Sequence, residues 1–177
     1  MSDTAPSERS VALFLIVFVA AYMGLYVGYM TIPDDILRHT IYPWSIVKPV
    51  VASINLLDSD AAVAGIASSL VSNRGNLEIV RGCDGSGVVF LLTAAIVAFP
   101  ARWRSKAAGI GWALLFVALV NHLRLVGLYF ALTHANEWFV TLHVYVFPTL
   151  LVLLGGVYFI AWASGWGSSL ERRGRAT

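Results

Sequence analysis

Long apolar runs that contain almost no charged residues alternate with short polar segments along this chain. The first run, 11–32, begins VALFLIVFVAAYMGLYVGYM. Similar runs cover 85–101, 107–133 and 143–166, and Arg124 is the one Asp, Glu, Lys or Arg among all four. A bilayer core takes about 20 apolar residues as a helix. We therefore predict an all-α integral membrane protein with about four transmembrane helices at these positions.

Residues 33–84, between the first two predicted spans, are expected to form a small exterior segment. Within it, 41–57 is apolar but interrupted by Pro43, Lys48 and Pro49. Proline removes a backbone donor and disturbs the interior of a helix. The pattern fits an interfacial or re-entrant segment and leaves a fifth span open.

The last part of the exterior segment leads into the second span. Residues 61–71 (AAVAGIASSLV) suit a short amphipathic helix. Residues 73–76 (NRGN) are typical of a turn, and 77–80 of a short extended stretch. The chain then reaches Cys83-Asp84-Gly85, at the entrance to the second span.

Composition supports a membrane protein and excludes several other classes. Of the 177 residues 58% are hydrophobic and 12% are charged, whereas typical soluble domains have about 25% charged residues. Half of the chain lies in four uncharged blocks, so no nucleic-acid partner is expected, and the formal net charge of +2 adds little by itself. Because Cys83 is the only cysteine, an intramolecular disulfide and a cysteine-rich metal site are both excluded.

A cleaved signal peptide is the alternative interpretation of residues 11–32. The preceding segment has a single basic residue, Arg9, and no clear A-x-A cleavage site follows the apolar run. A retained helix is therefore favoured.

Basic residues predict the orientation of the spans. They concentrate in 1–10, 102–106 and the tail 167–177, whereas the loop 125–142 contains no Lys or Arg. Lys and Arg in short loops favour the cytoplasmic side. We predict a multi-pass protein of the cytoplasmic (inner) membrane with both termini in the cytoplasm and 33–84 facing the exterior or periplasm.

Three residues with reactive side chains are predicted to meet at the outer face of the membrane. Cys83 precedes the second span and His143 opens the fourth. Arg124 lies about 17 residues into the third span, a rise of about 25 Å out of the roughly 30 Å core. All three residues are thus expected at one depth.

Arg124 carries the most weight of the three. An arginine within a membrane helix costs about 2.5–3.5 kcal/mol at the bilayer centre and usually faces the bundle interior or a watery cavity. Snorkelling to lipid headgroups is the alternative, but the apolar stretch LVGLYFAL follows. Asn121 lies on the same helix face, at a spacing of i, i+3.

Cys83 requires a partner base if it is a nucleophile, because an ordinary cysteine is only a few per cent thiolate at neutral pH. His143 is the candidate base, and Arg81 and Arg124 would favour the thiolate, whereas the adjacent Asp84 would oppose it. A buried, inert thiol is the alternative role for Cys83. No two histidines have metal-ligand spacing on one helix, so no metal site is expected.

The ordered set of these residues resembles the exosortase/archaeosortase family of membrane cysteine transpeptidases. The similarity runs from about residue 60 to 165. It comprises AAVAGIASSLVSNRGNLEIVRG, the Cys83-Asp84-Gly85 motif, the Asn-x-x-Arg match at Asn121-His122-Leu123-Arg124, and His143 opening the last helix. The short length and His143-x-x-x-Phe147-Pro148 are most similar to the compact exosortase H-like branch.

This resemblance implies an activity and a role for each site residue. Cys83 would attack the scissile carbonyl and form a thioacyl-enzyme intermediate, and His143 would transfer the protons. Arg124 would stabilise the oxyanion, Asn121 would orient Arg124, and Asp84 and Gly85 would support the cysteine motif.

The resemblance also implies the partners of the protein. They would be exported proteins with a C-terminal sorting tail, which consists of a short motif, a transmembrane helix and a basic cluster. Membrane lipids are the other expected partner. No cofactor is implied, and the acceptor is water or an amine.

Two other functions remain open from the residues alone. A non-catalytic membrane subunit or small transporter would use Arg124 to bind an anionic group, and Cys83 would be dispensable. A lipid-modifying enzyme would require Arg124 and His143 but not Cys83.

Overall fold

The predicted first span folds as helix α1, Glu8–Met30, because its residues are apolar and no proline interrupts them. The computed structural model describes residues 8–166, so the predicted basic tail at 167–177 lies outside the described residues. Within this range the chain forms five helices and one three-stranded sheet. Helix α2 comprises the consecutive helical segments Asp34–Ile36, Leu37–Ile41, Pro43–Val47 and Lys48–Leu57. Helices α3, Ser86–Ala98, and α4, Trp103–His134, are followed by α5, whose segments are Asn136–Thr141, Leu142–Val146, Phe147–Ala161 and Trp162–Trp166.

Three helices in the described residues are long and apolar enough to cross a membrane. They are Ser10–Met30 in α1, Trp103–His134, and Asn136–Gly165 in α5. Helix α3 is apolar, but its 13 residues rise about 20 Å, which is shorter than a bilayer core of about 30 Å. The helical membrane character is therefore supported, whereas a count of four spans and their orientation stay predictions.

Helix α2 continues through the predicted interruption at 41–57. Pro43 and Pro49 each lie at the beginning of one of its segments, where the helical bonding pattern changes. Two segments are π-helical, and the i→i+5 bonding of such turns accommodates the prolines. The inner face is buried at Leu37, Tyr42, Val47, Val50 and Ile54.

A small antiparallel sheet forms where a helix was predicted at 61–71, so that prediction is wrong. After a short 3₁₀ turn, Ser59–Ala61, the strands are β1, Ala64–Ile66, β2, Ser69–Ser72, and β3, Gly75–Glu78, in the order β1-β2-β3. Leu70 pairs with Leu77, and both side chains are buried on the same face. The described residues are therefore mostly helical, as predicted, with one small sheet between α2 and α3.

Two apolar clusters organise the packing. One lies between α2, the sheet and the second half of α4, and it includes Tyr129 and Leu128. The other lies where α3, α4 and α5 cross, and it includes Leu92, Val117 and Leu151.

Candidate functional site

Cys83 lies on a tight turn immediately before α3. Its backbone N–H donates to the carbonyl of Val80 at 3.0 Å. Gly82 and Gly85, on either side, have φ values of +86° and +81°, a conformation that glycine adopts without strain. The thiol is half-buried.

His143 approaches Cys83 from α5. Its Nε2 lies 3.7 Å from the Sγ of Cys83, so the sulfur and the ring are in hydrogen-bond contact. The ring stacks on Phe139, with centroids 5.5 Å apart and an interplanar angle of 12°. Nδ1 is buried and has no partner among the described residues. The ring of His143 is therefore oriented by stacking on Phe139. In many other sites with a nucleophilic thiol or hydroxyl, a carboxylate orients the histidine instead.

Arg124 is the third residue that was predicted for the site. It is only 5% exposed. Its Nη1 donates to the Oδ1 of Asn121 at 3.4 Å, and its buried Nε has no acceptor within residues 8–166. The guanidinium makes no ion pair in the described part of the chain, and its charge acts on His143. A buried cation without an acidic partner is costly, so this side chain is poised to receive an anionic or developing negative oxygen.

Gly85 allows α3 to begin against α4. A Cβ at this position would lie 3.2 Å from the Cγ of Asn121 and 3.3 Å from the Cγ1 of Val117. The absence of a side chain therefore allows the turn of Cys83 to lie against Asn121. This is a structural basis for the predicted supporting role.

The Asp84 carboxylate accepts four hydrogen bonds. Its Oδ1 accepts from the backbone N–H of Ser86 at 3.1 Å and from the Ser86 hydroxyl at 2.8 Å. Its Oδ2 accepts from the hydroxyl of Tyr42 at 3.1 Å and from that of Tyr29. Tyr29 and Tyr42 were not identified from the sequence, because each is one of several aromatic residues in an apolar stretch.

Arg81, which was expected to favour the thiolate, binds elsewhere. Its Nε donates to the Oδ1 of Asp34 at 2.7 Å. Its Nη1 donates to the carbonyl of Tyr29 at 2.7 Å, and its Nη2 to that of Ile32. Arg81 therefore caps the carboxyl end of α1 and ties it to the exterior segment.

The other histidines lie outside this cluster. His122 contacts the hydroxyl of Ser53 through Nε2 at 2.9 Å and so joins α4 to α2. His39 pairs with Asp35 at 2.9 Å, and His134 contacts the hydroxyl of Thr133 at 2.8 Å. No group of three His, Cys, Asp or Glu residues that could hold a metal ion occurs in the described ranges.

An apolar cavity of about 720 Å³ lies between α2 and α4, and Cys83, Arg124 and His143 are not among its lining residues. Exposed leucines of α4, Leu114, Leu115 and Leu119, line its outer side. Asp84, the residue after Cys83, lines it too. So does Asn121, whose Oδ1 accepts from Arg124. The cavity has the size and apolar character of a typical ligand site with a few polar groups.

Comparison with known proteins gave no match to a family model, to a curated protein or to a solved structure.

Proposed function

We propose that this protein is a membrane-embedded cysteine protease or transpeptidase that cleaves C-terminal sorting signals of exported proteins at the outer face of the cytoplasmic membrane. The observation that carries the proposal is the 3.7 Å contact between Cys83 and His143. The proposal is also supported by Arg124, which is buried and whose Nε has no acceptor in the described residues. A thiol, a base and a cation that arrive from three separate helices are the components that acyl transfer requires.

The first half of the reaction forms a thioester. The thiol proton of Cys83 moves to Nε2 of His143, and the sulfur attacks the scissile carbonyl carbon. Arg124 stabilises the negative charge that develops on the carbonyl oxygen. The C–N bond then breaks, and the leaving amine takes the proton from His143.

The second half releases the processed protein. Water or an amine gives its proton to His143 and attacks the thioester. The C–S bond breaks, and the proton returns to the thiolate of Cys83. A single base therefore serves both halves, as in other enzymes with a covalent acyl intermediate.

The apolar cavity supports an apolar substrate. The exposed α4 leucines line it, and so does Asp84, the residue after Cys83. The hydrophobic part of a sorting tail would reach the site along this cavity from the lipid. Its scissile bond would then meet Cys83 at the start of α3.

The experiment that tests the proposal is C-terminal mass spectrometry of envelope proteins. It compares cells that carry the wild-type protein with cells that carry Cys83→Ala. We expect a set of exported proteins to keep its hydrophobic, basic-ended tail only in the variant. His39→Ala, which changes a histidine remote from Cys83, is the matched control and should process normally. Identical envelope proteins with a folded Cys83→Ala protein would contradict the cysteine mechanism.

Arg124 also supports the alternative of a non-catalytic subunit or transporter that binds an anionic group, because its Nε is buried without an acceptor in the described residues. The two functions separate on Cys83→Ser. A binding protein tolerates this change and fails on Arg124→Ala, whereas a cysteine enzyme fails on both.

A further inference from the structure

We propose that Tyr29, Tyr42 and Asp84 form a positioning unit that holds the turn of Cys83 in reach of His143. The inference rests on the proposed function only in taking Cys83 as the nucleophile. None of the three side chains needs to contact the substrate. They act through Cys83, so they are positioning residues and not catalytic residues.

The hydrogen bonds of this unit connect three helices to the Cys83 turn. Tyr29 lies at the end of α1, Tyr42 lies in α2, and Asp84 directly follows Cys83. The two hydroxyls lie 2.7 Å apart, and each lies within hydrogen-bond distance of the Oδ2 of Asp84, so these three contacts share the two hydroxyl protons. The other oxygen of Asp84 binds the first residue of α3, Ser86. The backbone of the turn is thus anchored to α1 and α2 through one carboxylate.

Gly82, directly before Cys83, makes this anchoring necessary. Nothing lies within 4 Å of a Cβ built at Gly82, so packing does not restrain the turn at that residue. Glycine has more backbone freedom than other residues. The turn therefore relies on Asp84 to fix the direction of the Cys83 side chain.

The surroundings of Tyr42 keep its hydroxyl protonated, so that it remains a hydrogen-bond donor. Tyr42 is 3% exposed. Burial first, then the hydroxyl of Tyr29 and the negative charge of Asp84, raise the pKa of Tyr42 well above its ordinary value. Its hydroxyl therefore stays protonated and donates to Asp84 throughout the range in which a cysteine enzyme works. Tyr29 is fixed further by an edge-on contact with Phe90, at 5.4 Å between centroids.

Conservative variants test the hydrogen-bonding groups of the unit one at a time. Tyr42→Phe and Tyr29→Phe each remove one hydroxyl and keep the ring. Asp84→Asn keeps an oxygen for Ser86 but replaces the oxygen that accepts from both tyrosines with an amide N–H₂. Tyr158→Phe is the matched control, because the hydroxyl of Tyr158 donates to the carbonyl of Gly109 at 2.6 Å, in the packing of α5 on α4.

The experiment measures the rate at which iodoacetamide alkylates Cys83 across a pH series in the purified full-length protein. The thermal midpoint of each variant is measured alongside. We expect Tyr42→Phe and Asp84→Asn each to change the alkylation rate at neutral pH by about two- to tenfold, the equivalent of one hydrogen bond. Their pH profiles should move toward that of His143→Ala. In the double variant Tyr42→Phe/Asp84→Asn, the alkylation rate should change no more than in the stronger single variant. Tyr158→Phe should alkylate at the wild-type rate.

The outcomes separate this inference from the proposed function. Wild-type profiles for Tyr42→Phe, Tyr29→Phe and Asp84→Asn, even with lowered thermal midpoints, would show a purely structural role and overturn the inference. Additive effects in the double variant would also overturn it, because a unit acts jointly. A wild-type profile for His143→Ala would instead remove the Cys83–His143 pairing of the proposed function. Even in that case, the alkylation rates of the tyrosine variants relative to the wild type would decide whether the unit positions Cys83.

Discussion

The side chain of Arg124 is deeply buried but lacks a full set of hydrogen-bond partners in the described residues. Its replacement should therefore lower activity without lowering stability. Arg124 is 5% exposed and its Nε has no acceptor in the described residues. We expect Arg124→Gln to lower the processing rate about 100- to 1,000-fold, the usual loss on removal of an oxyanion donor. The thermal midpoint should not fall, because an uncompensated buried charge is removed.

The measurement is the processing rate of an envelope protein that the Cys83→Ala comparison identifies, together with thermal unfolding of each variant. Arg124→Lys should recover only part of the activity, because an ammonium lacks the planar set of donors. Arg74→Gln is the control, since Arg74 pairs with Asp58 in the exterior segment at 2.6 Å. Normal processing by a folded Arg124→Gln protein would exclude the oxyanion role.

Gly85 gives a second prediction. In Gly85→Ala the new Cβ would lie 3.2 Å from the Asn121 side chain, and the residue would have to adopt a φ of +81°. The left-handed conformation costs about 1–2 kcal/mol for a residue with a side chain. We expect the thermal midpoint to fall by roughly 2–8 °C and the alkylation of Cys83 to change with it.

Gly87→Ala is the matched control for Gly85→Ala. Gly87 lies in α3, and nothing is within 4 Å of a Cβ built there. Alanine is favoured over glycine inside a helix, so this variant should be at least as stable as the wild type. Equal midpoints for the two variants would mean that the turn tolerates a side chain at Gly85.

The sheet is attached to α2 through Asn55. Its Nδ2 donates to the carbonyl of Val63 and its Oδ1 accepts from the N–H of the same residue, both at 2.9 Å. In Asn55→Ala both backbone groups lose their partner, at a cost of about 1–3 kcal/mol. We expect faster hydrogen exchange of the amides in β1 and β2, measured by mass spectrometry. Asn73→Ala, an exposed change in the β2–β3 turn, should leave this exchange unchanged, and equal exchange in both variants would contradict the attachment.

The helices were predictable because each long uncharged run has only one stable form in a bilayer, which is a helix. The sheet at 64–78 was not predictable from the same reasoning. Its first part is rich in Ala, Gly and Ser, which fit the weak amphipathic pattern of a short helix as well as that of strands. Its register depends on the pairing of Leu70 with Leu77, which is a contact between strands and not a local property.

The site was partly predictable for a related reason. The rise of a helix fixes depth, so the common level of Cys83, Arg124 and His143 followed from their positions in the apolar runs, and the structure brings Cys83 and His143 into contact. Rise alone gives no rotation about the helix axis. The partners of Asp84 therefore could not be inferred, since Tyr29 and Tyr42 lie 55 and 42 residues away from it in sequence.

The length of α4 links the site to the exterior segment. Its 32 residues rise about 48 Å, well beyond a bilayer core of about 30 Å. Its second half packs against the sheet through Leu125, Leu128 and Tyr129, and the hydroxyl of Tyr129 donates to Ser72 at 2.9 Å. Arg124 lies between the first half of α4, which exposes Leu114, Leu115 and Leu119, and the half that packs on the sheet. This position agrees with the proposed reaction near the predicted outer face of the membrane.

The predicted orientation can be tested because Cys83 is the only cysteine. In a Cys83→Ser background, Asn73→Cys and Trp103→Cys each add one exposed thiol, the first beside the sheet and the second at the start of α4. We expect a membrane-impermeant maleimide to label Asn73→Cys in intact cells and Trp103→Cys only after lysis, because basic residues flank Trp103 and favour the cytoplasmic side. The reverse pattern would place the Cys83 turn on the cytoplasmic side, where exported proteins have already left. An enzyme that processes exported proteins must expose the Asn73 side, so this labelling tests the compartment of the reaction independently of the chemistry at Cys83.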